Sequence, residues 1–180
     1  MTVITWNTQN AAAGGSAMIG RGSYLLFDNS WGSNRGFTWK TTAKIFAEMP
    51  VLNKIFGAGP DCYYPYSYTE SAYAQILHDF WKPDILTNAH NEFLNLLICI
   101  GGFGLISFLF LLVSAGGRFC RRGKKNPYIF MGLLVICSYA AHNFFCYQQV
   151  CCTPFLFLVL GIAENSCRKQ KTCVSHAPKP

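Results

Sequence analysis

The sequence predicts an all-α, polytopic membrane protein piece: about three transmembrane helices preceded by a large extracytoplasmic loop with short interfacial helices. Three observations predict this. Of 180 residues, 51% are hydrophobic and only 13% charged, roughly half the ~25% charge of an ordinary soluble domain. The apolar residues collect in uncharged runs in the second half of the chain. The cations gather beside those runs.

Residues 1–34 are rich in Gly, Ser, Asn and Ala and read as irregular extracytoplasmic loop. From Phe37 to Met49 the chain turns helical: Phe37, Trp39, Ala43, Ile45, Phe46 and Met49 are apolar, and Lys40, Lys44 and Glu48 recur every four residues. Pro50 helps to end the segment. Its aromatics suit a helix at the membrane interface or packed on the spans. In "IFGAGPDCYYPYSY", Gly57, Gly59 and Pro60 mark a turn. The five tyrosines from Tyr63 to Tyr73 suit a headgroup belt or a sugar-facing surface. "ESAYAQILHDFW" reads as another short helix, stopped at Lys82-Pro83. Together, residues 35–92 form the outer loop that carries the candidate site.

Phe93 to Ser114 holds no charge. Its length at 1.5 Å per residue gives about 33 Å, enough for a ~30 Å hydrocarbon core. Tyr128 to Tyr147 is a second uncharged run, and Val150 to Ala163 a third. The third reaches spanning length only with help from Cys146 to Gln149 or from residues after Ala163; an interfacial or re-entrant segment is its other reading. Spans are therefore placed at 93–114, 128–147 and 150–163, followed by a basic tail, 164–180. No internal repeat is visible.

The net charge is +7, and its distribution decides its meaning. The stretch GGRFCRRGKKN holds Arg118, Arg121, Arg122, Lys124 and Lys125 with no acid. The tail after Glu164 adds Arg168, Lys169, Lys171 and Lys179. Residues 1–90 hold six Lys/Arg and six Asp/Glu, so they balance. This is the positive-inside pattern. It places loop 115–126 and the tail in the cytoplasm, and residues 1–92 and 147–150 outside. A nucleic-acid partner is excluded, because no basic patch is interleaved with aromatics in the polar region. "MTVITWNTQNAAAGGSAMIG" lacks a basic n-region and a continuous apolar core. An outer segment with no leading span is hard to insert, so the chain is expected to be the C-terminal part of a larger multi-span protein.

The nine cysteines form no metal framework: no C-x-x-C occurs, and Cys151 and Cys152 are adjacent. Most lie in apolar runs, as small hydrophobes. A disulfide from Cys62 to Cys146, Cys151 or Cys152 is one option. "GAGP" lacks the third glycine and the strand–helix context of a nucleotide fingerprint. No P-loop, G-x-S-x-G or H-E-x-x-H is present.

The sharpest feature is "TNAHNEFLNLL", where His90, Asn91 and Glu92 stand at the lip of the first span. Helix capping is one reading: Asn88 or Thr87 accepts the first free N–H groups, and Glu92 suits the dipole. That explains Asn and Glu better than it explains His. Arg35, in "GSNRGFTWK", is an ordinary loop cation or lipid-phosphate contact on one reading. On another it forks onto a diphosphate on the same side as His90. His142 and Asn143 form a second pair near the outer end of span two. Intramembrane polar residues are functional candidates, though helix–helix hydrogen bonding is the commoner use.

The order R-x-x-x-W-K, then P-x-x-x-x-I-F-G-A-G-P-D-x-Y, then A-H-N-E-F-L-N-L-L-x-x-x-G-G-F-G-L, then a basic loop and T-P-F-L-F-L-V-L-G, resembles the C-terminal half of the O-antigen ligase/polymerase family. The resemblance spans roughly residues 31–163. It implies a multi-pass glycosyltransferase of the bacterial plasma membrane, acting in cell-envelope polysaccharide biosynthesis. It implies an undecaprenyl-diphosphate-linked glycan as donor, a glycan or lipid hydroxyl as acceptor, membrane lipids as surroundings, and no metal or cofactor. His90 matches the motif histidine held to activate the acceptor, Arg35 the loop arginine that holds the donor diphosphate, and Asn91 the residue supporting the histidine. The family carries a further diphosphate arginine and about eight spans upstream; Arg21 lies too close to Arg35 for that role. A missing N-terminal half is therefore an expected partner, and a non-catalytic accessory or remnant is the alternative. A channel piece would need polar residues along the spans, which offer few beyond Asn95, His142 and Asn143.

Overall fold

A computed structural model describes residues 4–5, 8–9, 26–123, 126–149 and 151–175. All its regular structure is helical among the described residues. Most of the 1–34 loop lies outside them, as do Arg21, Lys124, Lys125 and Lys179.

The region before the long helices opens with α1, Trp31–Glu48, whose first residues are not yet α-helical. Gly32, Ser33 and Asn34 all have positive φ (60°, 59° and 69°), and the regular helix starts at Arg35. It ends where Met49 turns extended before Pro50. The short helix α2, Val51–Phe56, follows at once. After a glycine turn, Tyr63–Pro65 runs into a π-turn, Tyr66–Glu70, and then α3, Ala74–Trp81.

Three long helices complete the chain: α4, Glu92–Arg122; α5, Pro127–Phe145; and α6, Thr153–Ser175. α4 extends past the uncharged run and carries Arg118, Arg121 and Arg122 in its last turns. α5 starts at a proline behind the Asn126 cap. α6 is apolar only to about Ala163, and its second half is polar. Among the described residues two helices, α4 and α5, are long and apolar enough to cross a membrane.

α4 is broken at Gly101 (φ 68°, ψ −175°). A break strands carbonyls that a continuous helix would use. Here the stranded carbonyls of Ile98 and Cys99 accept from the N–H groups of Ala58 (2.8 Å) and Gly59 (2.9 Å). The turn predicted at "GAGP" is therefore a plug in the break. Contact is backbone on backbone. A β-carbon on Gly57 would overlap the Cys99 carbonyl, and one on Gly101 would overlap the Ile55 carbonyl and the Gly57 nitrogen. Both positions also need positive φ, which glycine takes without penalty.

The break also reconciles two lengths. α4 is twelve residues longer than α5, or about 18 Å. Yet the helices meet at both ends: Asn91 bonds Phe144 (2.8 Å), and Gly123 sits against Phe130. The change of direction at Gly101 absorbs the difference.

Two cores flank the break. Above it, Ile45, Met49, Tyr63, Leu77, Leu86, Ala89 and Ile98 pack together. Below it, Leu112, Ala115, Phe119, Ile129, Ile136, Leu156, Leu160 and Ala163 join α4, α5 and α6. Arg118 pairs with Glu164 (3.1 Å), and Arg122 donates to the Cys167 carbonyl (3.1 Å), tying the basic end of α4 to α6.

Two expectations are corrected. Tyr63, Tyr66 and Tyr68 are buried in the core above the break, and of the five tyrosines only Tyr64 is exposed. Burial is tolerable because distant partners serve the phenols: Tyr63 bonds Thr42 (2.8 Å) and Tyr68 accepts from the Leu86 N–H (2.9 Å). The disulfide option is not taken either: Cys62, Cys146, Cys151 and Cys152 are free thiols.

Gly57→Ala or Gly101→Ala should destabilise the fold by at least about 3 kcal/mol, since backbone must move to admit the methyl. Gly117→Ala, with open space around it, should be neutral or slightly stabilising. Thermal unfolding of the three variants in one detergent checks the contrast.

Candidate functional site

Arg35 opens the regular part of α1. The left-handed turn before it returns the Gly32 carbonyl to the Arg35 side chain, which donates from Nη1 (2.9 Å). Arg35 Nε is buried and has no hydrogen-bond partner among the described residues. A buried, unpaired guanidinium nitrogen calls for an acceptor that the described residues do not supply. One helical turn on, Trp39 donates from Nε1 to the His90 carbonyl (3.3 Å). Its ring packs between Trp31 (5.4 Å) and Phe144 (5.6 Å). α1 is thus fastened to the His90 stretch of chain through Trp39, and Arg35 comes with it.

His90 is half-buried and has φ 48°, an unfavourable conformation for a non-glycine residue. Three contacts hold it there. Its N–H donates to Asn88 Oδ1 (2.9 Å), its carbonyl receives Trp39, and its ring meets Tyr147 edge-on (5.8 Å). Burial pushes the imidazole pKa below the ordinary histidine value, and the positive charge of Arg35 pushes it further the same way. Arg35 and His90, fifty-five residues apart in sequence, are therefore neighbours electrostatically.

Asn91, not Asn88 or Thr87, caps α4: its Oδ1 accepts from the Leu94 N–H (3.1 Å). Its Nδ2 donates to the Phe144 carbonyl at the end of α5 (2.8 Å). Asn88 serves His90 instead. The capping reading thus accounts for Asn91 but not for His90, which lies outside the helix. Glu92, in the first turn, accepts from the Gln148 N–H (2.8 Å) and fixes the segment after α5. That segment brings Tyr147 to His90.

Beside His90 lies a cavity of about 480 Å³, bordered by Asp61, Asn88, Glu92, Asn95, Tyr147 and Gln148. His142 and Asn143 bond one another (3.3 Å), with His142 exposed and Asn143 buried beside the Phe144 carbonyl. No group of three or more His, Cys, Asp or Glu is arranged to hold a metal among the described residues.

Of the residues the sequence singles out, Arg35 acts electrostatically on His90, and Asn91, next to His90, caps α4. Trp39 and Tyr147, which contact His90, were not foreseen. The spacing R-x-x-x-W carried a signal for the first, since residues four apart share a helix face. Nothing local pointed to Tyr147.

Against protein-family models, curated proteins and solved structures, the chain gives no match.

Removing the charge of Arg35 should let the His90 pKa rise, because a positive neighbour disfavours imidazolium. Burial remains in Arg35→Ala, so the rise stops short of the ordinary value of about 6.5. An NMR titration of the His90 ring in both proteins checks this, with Arg35→Lys expected to hold the pKa low.

Proposed function

We propose that this chain is the C-terminal part of a membrane glycosyltransferase of the O-antigen ligase/polymerase type, acting in the bacterial plasma membrane to build surface polysaccharide. In this reading α4, α5 and α6 (extended by the residues before it) cross the bilayer. The site faces outward, and the arginine-rich end of α4 and the tail face the cytoplasm. The 21 residues of α4 below the break measure about 32 Å, close to the thickness of a hydrocarbon core. Phe103, Ile106, Phe110 and Val113 are 66–73% exposed, and only 22% of the apolar stretch of α4 is buried in the protein. A core helix in water would hide such side chains; lipid accounts for their exposure.

The observation that carries the chemistry is the pairing of Arg35, whose Nε is buried without a partner, with a strained His90 under its field. A guanidinium fork suits the oxygens of a diphosphate. A half-buried imidazole held neutral near pH 7 suits a general base. The acceptor hydroxyl oxygen attacks the anomeric carbon of the donor glycan. The bond from that carbon to the diphosphate breaks, and its electron pair leaves on undecaprenyl diphosphate, where Arg35 meets the charge. The hydroxyl proton passes to His90. A glycosidic bond is made, and the lipid diphosphate departs with the bilayer as its anchor.

His90→Ala, with the spans expected upstream supplied, should lower glycan transfer by about 10²–10⁴-fold. Because the His90 pKa is lowered, the base is neutral through the neutral range. Transfer should fall only as pH drops below the ordinary histidine value of about 6.5 and through the lowered pKa. For binding, undecaprenyl diphosphate in nanodiscs should be preferred to phosphatidylglycerol, and Arg35→Ala should weaken it by about 10-fold, worth ~1.4 kcal/mol. No preference for the diphosphate would sink the reading.

A further inference from the structure

The short helix α2, Val51–Phe56, is inside out for a helix in water. Val51, Leu52, Ile55 and Phe56 are 70%, 70%, 42% and 64% exposed, whereas the polar Asn53 and Lys54 are half-buried. None of its residues is buried. On a helical turn of 3.6 residues the four apolar side chains share one face, and Asn53 and Lys54 share the other. Asn53 borders a cavity with Glu48 and Glu70, so the polar face looks into the protein. A helix this short has little stability of its own in water, and its apolar face calls for a cover.

Two observations say what covers it. The first is continuity. The Phe56 ring meets Phe103 of α4 (6.5 Å), and Phe103, Ile106 and Phe110 carry the same exposed apolar surface down one side of α4. The face of α2 thus runs without interruption into the face of α4 that lipid covers. The second is level. The Lys54 carbonyl stands beside Gly102, and the residues just after α2 bond Ile98 and Cys99 at the break. α2 therefore sits at the head of the stretch of α4 whose length matches a hydrocarbon core. At that level acyl chains give way to headgroups, and an amphipathic helix buries its apolar face among the chains.

We infer that α2 is inserted in the bilayer leaflet nearer the break, with lipid acyl chains as the partner of Val51, Leu52, Ile55 and Phe56. The inference rests on α4 crossing the bilayer, and not on the glycosyltransferase chemistry. Because α2 leads directly into residues 57–59, the same lipid contact holds the plug against Gly101.

The test is methyl-resolved NMR of the full chain in phosphatidylcholine nanodiscs, with the native Val, Leu and Ile methyl groups as probes. One sample contains a lipid with a nitroxide near the head of its acyl chain, another a water-soluble gadolinium chelate. The Val51, Leu52 and Ile55 methyls should be broadened by the nitroxide lipid and spared by the chelate, as those of Ile106 and Val113 are. Ile45, buried in the core above the break, sets the baseline. The double variant Val51→Asp, Leu52→Asp, at exposed positions, should speed amide exchange at Ala58 and Gly59 at least about 10-fold, because carboxylates are costly among acyl chains and draw α2 away. Broadening of the α2 methyls by the chelate puts the face in water. Silence to both reagents puts a second copy or another protein segment on it. Either result overturns the proposal, as does unchanged exchange in the double variant. The two readings fail separately. If the chelate reaches α2 alone, only this proposal falls; if it reaches Ile106 and Val113 as well, the membrane reading of α4 falls with it.

Discussion

The helices before α4 depend on one backbone contact: residues 57–59 enter the break in α4 at Gly101. A helix cannot be interrupted inside an apolar bundle unless its released carbonyls find donors. Ala58 and Gly59 provide them to Ile98 and Cys99. The absence of side chains at Gly57 and Gly101 lets the two backbones approach closely enough for those bonds to form. The interruption and the plug are therefore one feature, and neither is tenable alone.

From that contact the site follows. Breaking α4 turns its first nine residues out of the line of the long helix, so that Asn91 arrives at the end of α5 rather than beyond it. Glu92 then secures the segment after α5, which carries Tyr147 to His90. α1 closes the other side through Trp39. His90 is held in a conformation that costs energy of its own, by its neighbour Asn88 and by elements from two distant parts of the chain. Strain of this sort persists only where the surroundings over-determine it. It also leaves the imidazole half-buried beside a cation, which is what lowers its pKa. Stability, geometry and acidity at His90 thus share a cause in the packing around it.

How far the sequence foretold this varies by element. The long apolar helices were legible because an uncharged run of that length is at home in few settings besides a bilayer. The helix after Arg35 was legible because its charges keep a four-residue period. The order of motifs singled out His90, Arg35 and Asn91; it did not show that Arg35 acts on His90 electrostatically or that Asn91 caps α4. The break at Gly101 was not: "CIGGFGL" reads as a continuous span, since glycine is common in such helices, and the sign of a break lies forty residues upstream in "GAGP". The buried tyrosines escaped for the same reason, because their partners, Thr42 and Leu86, are remote in sequence. The Asn88–Asn91 exchange shows a finer limit. Both asparagines are good caps, and only the direction of the chain at His90 decides which one serves the helix.

The most direct measurement is amide hydrogen exchange at Ala58 and Gly59 in lipid nanodiscs, resolved residue by residue. If the turn plugs the break, both amides exchange as slowly as those in the buried stretch of α4 around Ile98, although they belong to a turn. If they exchange at the rate of an open loop while the helices stay protected, the plug does not exist. The positions of His90, Tyr147 and Arg35 would then have no common support.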